Sequence, residues 1–153
     1  MVKRIIALIG LIGGILALVG IFTPWATGGV LDPLLYEWIP VSASGWDIGS
    51  YATAALVGAC VALVGALSAL AAPRVKALWA ILAIGGILAI AGAAYGFFDI
   101  DSCPGWTSIG HLPACSSYGY GLSLTLVGGI LAFIGAVVGG ILAFTGSLGW
   151  LKE

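Results

Sequence analysis

Four apolar runs, at approximately 5–25, 51–72, 77–98 and 122–148, contain no Asp, Glu, Lys, Arg or His. Each reaches or exceeds the ~20 residues that an α-helix needs to cross ~30 Å of hydrocarbon. A charge at the centre of such a helix costs about 2.5–3.5 kcal/mol on insertion scales, so all four runs insert without that penalty. In water they would have nothing to cover them. Of the 153 residues 61% are hydrophobic and 7% charged, with a mean hydropathy of +1.20, whereas a soluble domain carries roughly a quarter charged residues. The sequence therefore predicts one all-α transmembrane domain over 1–153, a left-handed antiparallel bundle of four transmembrane helices. Two structured extracytoplasmic loops, at approximately 26–50 and 99–121, join it on one side, and the first could hold short β-strands.

The first run follows Lys3 and Arg4, as the apolar core of a signal peptide would. Its length, and the return of its motif, argue for a retained helix. Gly13-Gly14-Ile15-Leu16-Ala17 recurs as Gly85-Gly86-Ile87-Leu88-Ala89 and as Gly128-Gly129-Ile130-Leu131-Ala132, which suggests an internal repeat.

Charge sets the orientation. All five basic residues (Lys3, Arg4, Arg74, Lys76 and Lys152) fall at the termini or between the second and third runs, which lie on the same side of a four-span chain. Asp32, Glu37, Asp47, Asp99 and Asp101 fall in the other two loops. The positive-inside bias then puts both termini in the cytoplasm of a multi-pass cell-membrane protein. The connection over 71–76 is short enough to force the second and third helices into an antiparallel pair.

Insertion does not by itself join helices, because lipid tails are as apolar as leucine; small residues that let backbones approach do. Gly13, Ala17 and Gly20 mark such a stripe on the first helix. Gly58, Ala62, Gly65 and Ala69 mark it on the second, Gly85, Ala89, Gly92 and Gly96 on the third, and Gly128, Ala132, Gly135 and Gly139 on the fourth. Spacing of four then three averages 3.5 residues, the repeat that keeps a stripe on one face of a left-handed supercoil. Gly129 and Gly140 beside the last stripe leave a second face on the fourth helix, read as a contact to another subunit. On this reading Gly135→Leu or Gly139→Leu breaks assembly and spares insertion.

Cys103 and Cys115 share the second outward loop, where oxidation is possible, and are expected to form a disulfide. It would close roughly 13 residues and contribute about 3 kcal/mol on the chain-entropy account. Cys60, inside the second run, reads as a small buried apolar residue. Trp25, Trp38, Trp46, Trp106, Tyr51, Tyr118 and Tyr120 gather at the outer boundary, with Trp150 and Trp79 at the inner one. The pattern reads as an anchoring belt of interface aromatics.

Chemistry is harder to place. Asp99, Asp101, Cys103 and His111 can be drawn as a metal site, but they match neither a zinc spacing nor a calcium loop. No nucleophile with a base, phosphate loop or haem-ligating histidine pair can be assembled. Ionisable residues of the kind that carry proton relays are absent from the spans. No basic cluster suits nucleic acid, no cofactor is implied, and the expected partners are the lipid bilayer and other membrane subunits or copies of the chain. The chain has no Asn or Gln and one Met, a depletion compatible with a thermophilic prokaryote.

Pro24-Trp25 at the end of the first helix, followed by Gly45-Trp46, resembles the pattern of the claudin and peripheral-myelin-protein tetraspan superfamily, as does the helix count. The resemblance implies that Trp25, Gly45 and Trp46 brace a small extracellular sheet. This chain lacks a leucine between Gly45 and Trp46, the paired cysteines that follow in that superfamily, and its longer first loop. The expectation is a non-catalytic structural or accessory subunit, in a homo-oligomer or larger membrane complex. A pore or carrier for a small neutral or apolar solute, and a small subunit of a respiratory or redox complex, are the alternatives.

Overall fold

A computed structural model of the chain describes residues 2–31, 38–48, 50–100 and 114–145. In chain order it consists of helix α1 (Val2–Phe22), strands β1 (Pro24–Leu31) and β2 (Trp38–Ser44), a single turn α2 (Gly45–Ile48), helices α3 (Ser50–Ala71) and α4 (Lys76–Ile100), strand β3 (Ala114–Tyr118) and helix α5 (Tyr120–Thr145). The helices α1, α3, α4 and α5 are each long and apolar enough to cross a membrane. The chain is a multi-pass membrane protein with the expected four-helix architecture.

Prolines set two of the helix ends. The Gly20 carbonyl would accept the Pro24 amide in a continuing helix, but proline has no N–H. α1 therefore stops at Phe22, three residues short of the expected end. Pro73 likewise restricts the residue before it, and α3 gives way to a tight connection in which the Ala72 amide donates to the Ser68 carbonyl and the Val75 amide to the Ala72 carbonyl. That turn returns the chain into α4 as an antiparallel neighbour. At its other end α1 begins at Val2, so Lys3 and Arg4 form part of its first turn.

The helices form a ring in which α1 and α4 each lie between α3 and α5, with little contact across the diagonals. The core is mostly alanine. One half gathers Ala62, Ala66, Ala69, Ala132, Ala136 and Ala143 around Trp79 and Leu82. The other gathers Ala17, Ala52, Ala55, Ala59, Ala89 and Ala93 around Trp25, Ile21 and Leu122. Exposed Ile, Val, Leu and Phe cover the outside, the distribution expected where the surrounding solvent is hydrocarbon.

The segments that join α1 to α3 and α4 to α5 form one three-stranded antiparallel sheet in the order β2-β1-β3. Short strands were expected only in the first loop, but β3 comes from the second. It pairs with β1 from Ala26↔Tyr118 to Val30↔Ala114. β1 has a Gly28-Gly29 centre and β3 has two serines, so neither carries a strong intrinsic strand signal. Tertiary ties hold them: the Gly119 amide donates to the Trp25 carbonyl at 2.7 Å, and the Tyr118 hydroxyl donates to the Phe97 carbonyl on α4 at 3.1 Å.

Candidate functional site

The Gly-Ala stripes form two matching seams. In α1 and α5, a methyl group built on Gly13 would stand 2.5 Å from the Ala132 amide nitrogen and 2.6 Å from the Gly128 carbonyl oxygen. One built on Gly128 would meet Gly13 in return, 2.6 Å from its carbonyl oxygen. α3 and α4 repeat the arrangement: Gly58 lies against Ala89 and Gly85, and Gly85 against Ala62 and Gly58, with 2.8 Å from each methyl position to the opposing glycine carbonyl. Real side chains do not occupy such spaces, so the backbones meet directly. Close approach of this kind favours Cα–H···O contacts across a seam.

The seams continue along the predicted spacing. Gly20 lies against Gly121 and Thr125, Gly92 against Tyr51 and Ala55, and Gly65 against Leu82. Every stripe residue, from Gly13, Ala17 and Gly20 on α1 to Gly128, Ala132, Gly135 and Gly139 on α5, is buried. Two glycines meet tryptophan instead of a helix backbone. Gly96 lies against Trp25 and Leu122, and Gly139 lies on the ring of Trp79.

The second glycine of each doublet serves a different neighbour. Gly14 receives Leu63 of α3, Gly86 receives Phe133 of α5, and Gly129 receives Ile90 of α4. This corrects the expectation for α5. At Gly129 its second face, read as a contact with another subunit, is filled within the chain because the helix stands between α1 and α4, while Gly140 is left nearly open. Gly135, close to Gly10 and Ile6, and Gly139, on Trp79, are likewise intrachain contacts. Substitutions there act on the bundle itself.

Cys60 is also corrected, since it is exposed. The segment Gly58-Ala59-Cys60-Val61-Ala62 falls in register with the three Gly-Gly-Ile-Leu-Ala repeats, and Cys60 takes the place of Ile15, Ile87 and Ile130. All three isoleucines are exposed. The small thiol occupies a lipid-facing position.

Trp25 departs most from the sequence reading. Expected in an interface belt, it is 0% exposed. The register of β1 against β2 shifts between Pro24 and Ala26, a bulge that leaves Trp25 as the extra residue and can turn its side chain inward. Its indole N–H donates to the Gly20 carbonyl at 2.9 Å, and the Thr23 hydroxyl donates to the same oxygen at 2.8 Å. These donors replace the amide that Pro24 lacks. Gly45 lies under the ring, where a methyl group would stand 2.6 Å from Cε2. Trp46 does sit at the surface, stacked on Phe22 with centroids 6.2 Å apart. Trp106, Trp150 and Cys103 lie outside the described residues, so the anchors and the disulfide that involve them do too. Cys115 occupies the β3 position opposite Gly29.

Trp79 closes the opposite end in a similar way. It is 2% exposed, and its N–H donates to the Pro73 carbonyl at 3.3 Å. Two tryptophans thus plug the bundle, Trp25 bonded to the carbonyl four residues before Pro24 and Trp79 to the carbonyl of Pro73. Sequence alone gives no distinction between a buried tryptophan at a helix end and one in a lipid belt; the neighbouring prolines and facing glycines are the available signal.

Among the described residues the one buried polar side chain is Thr125, whose hydroxyl donates to the Gly121 carbonyl at 2.9 Å. No group of three His, Cys, Asp or Glu side chains is assembled among the described residues. The metal arrangement drawn on Asp99, Asp101, Cys103 and His111 falls largely outside them. At the sheet end, Trp25 stacks on Tyr51 at 6.3 Å and Tyr51 meets Tyr95 at a tilt, with centroids 5.5 Å apart, so an aromatic chain runs from the plug to the exposed surface. In comparisons with known proteins, no family model matches the chain and no curated protein matches its sequence.

Proposed function

We propose that this chain is a non-catalytic structural or accessory subunit of a membrane assembly, acting through its outer surfaces rather than through a route or centre inside the bundle. The observation that carries the reading is the composition of the interior. Among the described residues the buried set is glycine, alanine and a few larger apolar side chains, with Thr125 bonded back to its own helix. A solute path through the bundle would need polar lining or open space between helices, and the reciprocal glycine contacts leave little of either.

The surfaces left for a partner are the outer cap and the lipid-facing helix sides. The cap draws on both outward segments, which β1 joins to β2 and β3. Kinship with the claudin and peripheral-myelin-protein superfamily belongs to the same proposal; Gly45, directly after β2, packed on Trp25 of β1 supports it. An extracytoplasmic sheet belongs to it as well: Lys3, Arg4, Arg74 and Lys76 share one end and the sheet lies at the other, a distribution that supports this orientation by the positive-inside rule.

Native mass spectrometry of the protein gently released from its own membranes tests the role. A fixed ratio of this chain to a second membrane protein is the expected result. A free monomer that supports solute flux in vesicles above protein-free controls would overturn it.

A further inference from the structure

Lys76 opens α4 at the basic end of the bundle. Its ammonium is drawn over the Phe144 ring of α5, with Nζ 3.9 Å from the centroid. This contact holds a positive charge at the mouth of the crevice between α4 and α5. Arg74, exposed in the connection two residues earlier, adds a second cation. Among the described residues this end carries no Asp or Glu.

Below the charge the crevice is apolar and has a gap. Ala80 follows Lys76 by one turn and Gly140 precedes Phe144 by one turn, so each pair shares a helix face. A methyl group built on Gly140 would meet only the Trp79 Cβ, at 3.7 Å, whereas one on Gly13, Gly58, Gly85 or Gly128 would meet backbone. Ala80, Ile141 and Phe144 are exposed around it. The result is a shallow apolar recess on the membrane-spanning surface, with Lys76 held at one end and the exposed Arg74 two residues away in the chain.

We propose that this crevice binds one anionic phospholipid, with its phosphate on Lys76 and Arg74 and an acyl chain laid along Gly140, Ala80 and Ile141. The inference rests on the membrane reading but not on the accessory role. Lysine provides a point charge and arginine a planar fork for phosphate oxygens. Basic sites between transmembrane helices beside the charged membrane surface suit such headgroups. The apolar recess beside the cations argues for a lipid over free phosphate, which would use the cations alone.

The test is native mass spectrometry of the purified full chain in micelles containing equal phosphatidylglycerol and phosphatidylcholine. One phosphatidylglycerol per chain is expected to be retained in preference. Arg74→Ala with Lys76→Ala should lower that preference about tenfold or more, while Lys3→Ala with Arg4→Ala leaves it unchanged. Gly140→Leu, which fills the recess and keeps both cations, should also lower it; Phe144→Ala serves as a second variant if the first does not fold. Equal retention of both lipids would overturn the proposal. So would an equal loss in the Lys3 and Arg4 variant, full retention with the recess filled, or displacement of the lipid by millimolar inorganic phosphate.

Discussion

The indole N–H of Trp25 donates at 2.9 Å to the Gly20 carbonyl, the acceptor that Pro24 leaves without its helical donor. One proline thereby ends a membrane helix, starts a strand and creates the site that holds a tryptophan in the bundle. The Gly119 amide bonds to the Trp25 carbonyl, so the segment between α4 and α5 is tied to the same point. Trp25 links the helices to the sheet.

Replacing that side chain should loosen both. Trp25→Ala is expected to cost about 3–5 kcal/mol through the cavity left among Gly45, Gly96 and Leu122. Trp25→Phe, which keeps most of the ring volume and loses the N–H, is expected to cost about 1–2 kcal/mol. Equilibrium unfolding in mixed micelles, followed by helicity, measures both. Equal small losses for the two variants would contradict the buried placement.

The seams grade their glycines. Gly58 faces backbone closely on α4, while a methyl group on Gly135 would stand 3.1 Å from the Gly10 amide nitrogen, where a small shift suffices. Gly58→Ala should therefore destabilise the bundle more than Gly135→Ala, and Gly58→Leu should cost about 3 kcal/mol or more by overpacking. Ile87→Leu, on the lipid-facing side, should be within about 0.5 kcal/mol of the parent. Unfolding midpoints of these variants in one micelle system give the ranking.

Much of this architecture was legible in the sequence, and the misses have physical causes. The uncharged runs give the spans and the 4-3-4 glycine and alanine spacing gives the faces, because both follow from helix geometry. The ring order was not legible, since a second glycine beside a stripe looks the same whether it meets another subunit or, as Gly129 does, Ile90 of the same chain. β3 was missed because Ala-Cys-Ser-Ser-Tyr becomes a strand through its pairing with β1. The outward face of Cys60 could have been read by aligning it with Ile15, Ile87 and Ile130.

That position gives a prediction about reactivity. In bilayers Cys60 should resist a charged, water-soluble maleimide and react with it once the protein is unfolded in denaturant, because its exposure is to hydrocarbon and maleimide addition needs a hydrated thiolate. Mass shifts of the intact protein report the outcome. Rapid labelling by the charged reagent in bilayers would place the thiol in water and count against the lipid-facing assignment.

The Cys103–Cys115 bridge remains a proposal and has a direct count. Alkylation under denaturing conditions should modify one thiol, Cys60, before reduction and three afterwards. Cys103→Ser would then lower stability by about 3 kcal/mol or less, with the loss concentrated in the sheet that β3 completes. Three modified thiols before reduction would remove the bridge.

The account turns on two helices meeting backbone to backbone at Gly13 and Ala132, and solid-state NMR in lipid bilayers measures this directly. With glycine Cα and alanine amide nitrogen labelled and assigned, dipolar recoupling should place Gly13 Cα and the Ala132 nitrogen in contact, within about 4.5 Å. No detectable coupling between them, with Gly13 instead showing strong transfer from lipid chains, would mean that the glycine face points into the membrane and that the bundle is held some other way.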